Sequence, residues 1–258
     1  MMRKIPVRVL VASSVLSVTL LQSCAVKEGP EEPMKRTITV VDLLNSHNVL
    51  AHPDVISTYL ADAKRIVSFT GAPSGAFTRL VMLGRYRNLF RYERVDPLGP
   101  TKQIDVFDGY AVYHAMSANG ISTEESQRPG DSPSETVGVE IRTFGLLPIL
   151  ARLIDPKTES VYEGRNAQGL DCLKVKVSSQ AWTVYADSEH LIRRLEFHDS
   201  TIEYDDYRVV DDIRLPFKQR FFLRGKLYYE LLFTKIDLKP GFPSDYFSHE
   251  AILKDVVR

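Results

Sequence analysis

The apolar positions change period along the chain. In "TVVDLLNSHNVLAHPDVISTYLADAKRI", residues 39–66, Val40, Leu43 and Leu44 and then Val55, Ile56, Tyr59 and Leu60 fall at helical intervals. Pro53 suits the first turn of a second helix, so two short helices are predicted here. From Lys64 the period falls towards two. "VSFTG", "AFTRLVMLGRYRNLFRYERV" and "KQIDVFDGYAVYHAM" are rich in β-branched and aromatic residues and are punctuated by Gly71, Gly75, Pro97, Gly99 and Gly109. Consecutive antiparallel strands follow, with "DGY" at Asp108–Tyr110 as a tight turn between two of them.

The middle of the chain differs. Residues 118–135, "ANGISTEESQRPGDSPSE", are polar and without period, which predicts a loop. Next, "TVGVEIRTFGLLPILARLID" carries Phe144, Leu146, Leu147, Ile149, Leu150 and Leu153 and reads as helix broken near Gly145 and Pro148. Being apolar on more than one side, it suits either an ordinary core helix or a plug over an apolar cavity. The last third is a meander. Leu173, Val175 and Val177 oppose Cys172, Lys174 and Lys176, and Leu215, Phe217, Phe221 and Leu223 oppose Lys218, Arg220 and Arg224. About ten strands with one apolar face and few helices predict an α+β fold, a single strongly bent antiparallel sheet that wraps the helices.

The start of the chain obeys another grammar. Arg3, Lys4 and Arg8 precede an apolar run, Val9–Leu21, that is short for a membrane span, and "QSC" closes it. This is the layout of an export signal. It resembles a bacterial lipoprotein signal peptide, with Leu21 in the leucine position, Ser23 before the cut and Cys24 as the acceptor of diacylglycerol; Gln22 departs from the usual small or β-branched residue. The resemblance implies residues 1–23 as signal peptide and Cys24 as lipidation site, and Ala25 after it implies the outer membrane by the enterobacterial rule. Residues 24–37, with Pro30 and Pro33, read as a lipidated N-terminus and flexible tether, and 38–258 as the folded domain. Several acyl chains on one residue would hold that domain at a membrane, each buried methylene contributing roughly 0.8 kcal/mol. The chain's other cysteine, Cys172, lies in the body, so one disulfide between the two is not expected.

Composition narrows the partners. With 258 residues, 44% of them hydrophobic, the chain can bury a sizeable core. Lysine plus arginine equal aspartate plus glutamate at 33 each, so charge recommends neither nucleic acid nor an acidic substrate.

The order of elements resembles the LolA/LolB superfamily, more closely the group of outer membrane lipoprotein-sorting proteins, over roughly Val40 to Phe247. The resemblance is carried by "DVFDGYAVYHA", "WTVYADSEHLIRRLEF", "IEYDDYRVVDDIRLPFKQRF" and "FTKIDLKPGFPSDYF". It implies an incomplete β-barrel with helices covering its concave face and an apolar cavity for acyl chains between sheet and helices. Candidate wall residues are Phe90, Tyr92, Phe107, Tyr113, Phe144, Leu147, Phe197, Phe217 and Phe221, each of which plain core packing also explains.

Enzymatic motifs are weak. "GAPSG" at Gly71–Gly75 has its serine displaced from a nucleophile elbow, and there is no phosphate loop or zinc-protease helix. His190 and His198, with Asp187, Glu189 and Asp199, could suggest a metal, and the acids of Tyr204–Asp212 paired carboxylates, but turns between strands collect such residues. Cys172 reads as an inert thiol and Trp182 as structural. No catalytic residue, cofactor or metal is expected. The sequence points to a non-enzymatic, lipid-anchored periplasmic protein that binds lipid or lipoprotein acyl chains, in lipoprotein sorting or lipid transport to the outer membrane. The alternative is an envelope sensor or assembly adapter that uses the same scaffold for protein contacts.

Overall fold

The computed structural model describes residues 37–53, 58–67, 76–83, 89–95, 102–107, 112–118, 121–127, 146–177, 180–243 and 245–257. Cys24, Phe144 and the Asp108–Tyr110 turn lie outside them. Thirteen strands form one antiparallel sheet: β1 Thr58–Val67, β2 Ala76–Leu83, β3 Leu89–Val95, β4 Lys102–Phe107, β5 Val112–Ala118, β6 Ile121–Gln127, β7 Glu159–Arg165, β8 Asp171–Val177, β9 Gln180–Ala186, β10 Ile192–Phe197, β11 Ser200–Val210, β12 Ile213–Leu223 and β13 Lys226–Asp237. Their order is β6-β5-β4-β3-β2-β1-β13-β12-β11-β10-β9-β8-β7. Strands β6 and β7 are therefore the two edges, and the barrel does not close. Among the described residues three helices accompany the sheet: α1 Val40–Ser46, α2 Leu147–Leu153 and α3 His249–Val257.

The hairpins are made by residues that tolerate a left-handed backbone. Asp211 (φ 46°) and Asp212 (φ 66°) turn β11 into β12, and Arg224 (φ 50°) with Gly225 (φ 73°) turns β12 into β13. Register shifts between Asp62 and Ala63, Ile192 and Arg194, and Phe221 and Phe222 interrupt the ladders. Such bulges sharpen the local twist and bend a sheet this wide.

The helices divide between the two faces. On the inner face, Leu43 and Leu44 of α1 and Leu147, Ile149, Leu150 and Leu153 of α2 join Leu173, Val184, Leu195, Ile202, Leu215 and Leu231 in the main core. On the outer face, α3 contributes Ile252, with Phe247 just before it, to a second core with Ile104, Val106 and Ala115 of β4 and β5. The bent sheet with few helices matches the reading of the sequence, while α3 backs the face that the other helices leave bare.

Two elements depart from the sequence reading. Tyr59 and Leu60 belong to strand β1, so the second helix predicted after Pro53 does not extend over them. With β2 on one side and β13 on the other, β1 is a central strand, and its ladder bonds outweigh a short helical spacing. The predicted loop 118–135 contains strand β6, which pairs with β5 from Val112↔Gln127 to Ala118↔Ile121. Its polar sequence suits an edge strand, where side chains need no apolar cover.

Candidate functional site

Helix α1 is fixed by directional bonds. Its N-terminus is a capping box: the Asp42 amide donates to Thr39 Oγ1 at 3.2 Å and the Thr39 amide to Asp42 Oδ2 at 2.8 Å. At its other end the buried His47 ring lies between two strands. Its Nδ1 donates to the Arg214 carbonyl (2.8 Å) and its Nε2 accepts from the Ile192 amide (3.3 Å), a pairing that requires the neutral imidazole. Burial pushes its pKa down to about 4. Ser46 Oγ donates to the His190 carbonyl at 2.7 Å and Asn48 Nδ2 to the Asp212 carbonyl at 3.0 Å.

Helix α2 is held differently. Its N-cap, Leu146, makes no side-chain capping bond, and Pro148 stands in its first turn. What anchors it is apolar burial: Leu146, Leu147, Ile149, Leu150 and Leu153 are each at most 2% exposed. The Arg152 guanidinium lies 5.5 Å from the centre of the Trp182 ring.

Near that tryptophan the sheet forms a cavity of about 450 Å³ across β7–β10. Val175, Trp182 and Phe197 line it, as do Lys174, Lys176 and Glu196. An apolar pocket with charged groups beside it is suited to one end of an amphiphile.

Further along the inner face, aromatic rings and one arginine form a stack. The Phe221 and Tyr229 rings are stacked with centroids 5.1 Å apart, and the Arg65 guanidinium lies 4.5 Å from the Tyr229 centroid. Arg65 also donates from Nη1 to Tyr92 Oη at 3.0 Å. The array draws on β12, β13, β1 and β3 in the middle of the sheet.

The wall residues suggested by the sequence therefore have different fates. Tyr92 and Phe221 meet through Arg65 and Tyr229. Leu147 is buried in α2, Phe197 lines the cavity, and Phe217 lies under the Arg208 guanidinium at 4.4 Å. Phe90 and Phe107 are register partners on β3 and β4, their side chains outside the described ones. Tyr113 does not share the site. Its ring packs 5.1 Å from His249 of α3 and belongs to the outer core, because β5 turns its other alternation, with His114, towards the inner side. Arg65 and Tyr229 were missed. Alternation of Arg65 with the buried Ala61 and Ala63 was the available signal, hidden by the helical reading of that segment.

The groups with catalytic possibilities are engaged in turns and ion pairs. Asp187 accepts from the Glu189 and Leu191 amides and pairs with Arg193 at 2.6 Å. Asp206 pairs with Arg208 at 2.6 Å, while Asp211 and Asp212 form a hairpin turn. Burial, aided by Glu163, raises the Cys172 pKa and keeps the thiol protonated at neutral pH. Among the described residues no three His, Cys, Asp or Glu side chains are grouped closely enough to hold a metal ion.

No family model and no curated protein matches the chain. Solved structures do match in fold. A DUF1329 family protein from Desulfovibrio piger is 13% identical, with a TM-score of 0.54 over 82% of this chain and 98% of its own. A domain assigned to the outer membrane lipoprotein-sorting proteins, from Vibrio parahaemolyticus, is 11% identical, with a TM-score of 0.53 over 85% and 98%. A LolA superfamily protein from Nitrosomonas europaea is 12% identical, with a TM-score of 0.54 over 83% and 99%. At these identities the likeness is one of fold, and the fold resemblance read from the sequence holds.

Proposed function

We propose that the chain is a lipid-anchored protein of the bacterial envelope that binds lipid or lipoprotein acyl chains on the inner face of its bent sheet. The observation that carries the reading is the cavity lined by Trp182 and Phe197, beside a helix held mainly by apolar contacts. Acyl chains need burial rather than chemistry, and each methylene placed there contributes under about 1 kcal/mol. Helix α2 presents the leucine and isoleucine surface that an acyl chain would replace, so a chain longer than the cavity is accommodated by lifting α2 while α1 stays fastened through His47. Support comes also from the fold, which is shared with a lipoprotein-sorting domain and a LolA superfamily protein.

The lipidated Cys24 and the tether after it place the domain at the outer membrane, facing the periplasm, as a non-enzymatic component of lipoprotein sorting or lipid transport. Capture of a fluorescent long-chain acyl probe by the purified protein tests the binding reading; a protein that takes up none under conditions where it remains folded contradicts it.

One observation favours a second reading. In the conformation described, Leu43, Leu44, Leu147 and Leu150 fill the inner face opposite β8–β13. A scaffold closed in this way suits a sensor or assembly adapter working through protein contacts, and the probe experiment separates the two.

A further inference from the structure

The inner face carries a polar row among its apolar ones. Tyr204 on β11 faces Gln219 on β12 in register, Gln219 faces Leu231 on β13, and Leu231 faces Arg65 on β1. All the members except Arg65 are almost fully buried. Two of the row's donors lack acceptors. Among the described residues the buried Tyr204 hydroxyl has no hydrogen-bond partner, and neither has the buried Nε of Arg65. Among the described residues Arg65 keeps one hydrogen bond, to Tyr92, and one ring contact, with Tyr229, and no carboxylate pairs with it. A buried donor without an acceptor and a half-buried cation without a counter-ion both cost stability, and native proteins seldom keep them without a reason. The row contains donors in excess and no acid.

Resting on the acyl-binding reading, we infer that the Arg65 end of this row receives the acidic oxyanion headgroup, phosphate or carboxylate, of a bound amphiphile. A guanidinium offers paired N–H groups in the geometry of two oxyanion oxygens, whereas Tyr204 on β11 stands three strands from Arg65 on β1, about 14 Å across the sheet, and does not share the headgroup. The alkyl chain then lies among the neighbouring aromatic and aliphatic rows, where Phe221 and Tyr229 are register partners.

The test is calorimetric titration of the purified full-length protein with decyl phosphate, decanoate, decanol and inorganic phosphate. At least one of the two anionic amphiphiles should bind about tenfold or more tighter than decanol, as charge-assisted pairing requires, and inorganic phosphate far more weakly than either. Arg65→Met should bring the ratio of anion to alcohol down to about one. Tyr204→Phe, at the far end of the row, removes a buried hydroxyl with no partner among the described residues, so it should fold at least as stably as the parent and leave the ratio unchanged. Equal binding of anions and decanol, or an unchanged ratio in folded Arg65→Met protein, overturns the headgroup site and leaves acyl binding standing. Inorganic phosphate bound as tightly as decyl phosphate overturns the amphiphile in favour of a soluble anion. Failure to bind any alkyl compound overturns acyl binding itself, and the headgroup site with it.

Discussion

His47 and Arg214 are joined in both directions: the His47 ring donates from Nδ1 to the Arg214 carbonyl at 2.8 Å, and the Arg214 amide donates to the His47 carbonyl at 3.1 Å. Together with the Ile192 amide on Nε2, these bonds need the imidazole neutral. The pKa is lowered from 6.5 to about 4, so the folded form resists a proton that the unfolded chain accepts. Stability is therefore full above pH 6.5 and declines as pH falls towards 4, by about 3 kcal/mol in all. Urea unfolding at pH 7.5 and pH 4.5 measures the decline. His47→Gln, which can still donate and accept, should lose most of this pH dependence; an undiminished dependence in the variant contradicts the assignment.

Arg91 fastens α3 to the back of the sheet. Buried beneath the helix, it donates to Glu93 at 2.7 Å, to Asp255 at 2.6 Å and to the Tyr246 carbonyl at 2.9 Å, with the Tyr246 ring over its guanidinium. Replacing it with methionine leaves Glu93 buried without its cation. Such a loss typically costs about 3–5 kcal/mol. Urea melts should register it, and proteolysis should attack residues 245–257 first.

Leu147 and Leu150 anchor α2 without any polar bond from their own side chains. Truncating either to alanine in a core with no exposure should cost about 2–5 kcal/mol. A value below 1 kcal/mol would mean that α2 is barely docked in solution. Because α1 has its own clasp, the same truncations should loosen α2 selectively, which hydrogen exchange of the two helices can compare.

Cys24→Ser should release the protein from membranes and abolish incorporation of labelled palmitate. Palmitate labelling that survives the substitution refutes lipidation at this residue.

Much of the fold was legible because one-sided alternation is unambiguous when a strand is long. Leu173 and Val175 against Lys174 and Lys176 put β8 on the core without reference to any neighbour. Harder to see were elements whose state is decided by partners. Tyr59 to Arg65 carries a spacing compatible with helix, and only β2 and β13 on either side make it a strand. Strand β6 is polar because it is an edge, and nothing local distinguishes it from a loop. The site was legible in part for the same reason. Aromatic residues on strands were visible, but whether Tyr92 meets Arg65 or Tyr113 meets α3 depends on which face each strand presents, and that follows from pairing across the whole sheet.

The central claim is that acyl chains are held on the inner face beneath α2, and Trp182, the chain's single tryptophan, stands there. Titration with a phospholipid carrying a brominated or spin-labelled acyl chain reads that position directly. The account predicts saturable quenching of Trp182 fluorescence that an unlabelled lipid reverses by competition. Lipid that binds without quenching Trp182, or no saturable binding at all, would contradict it.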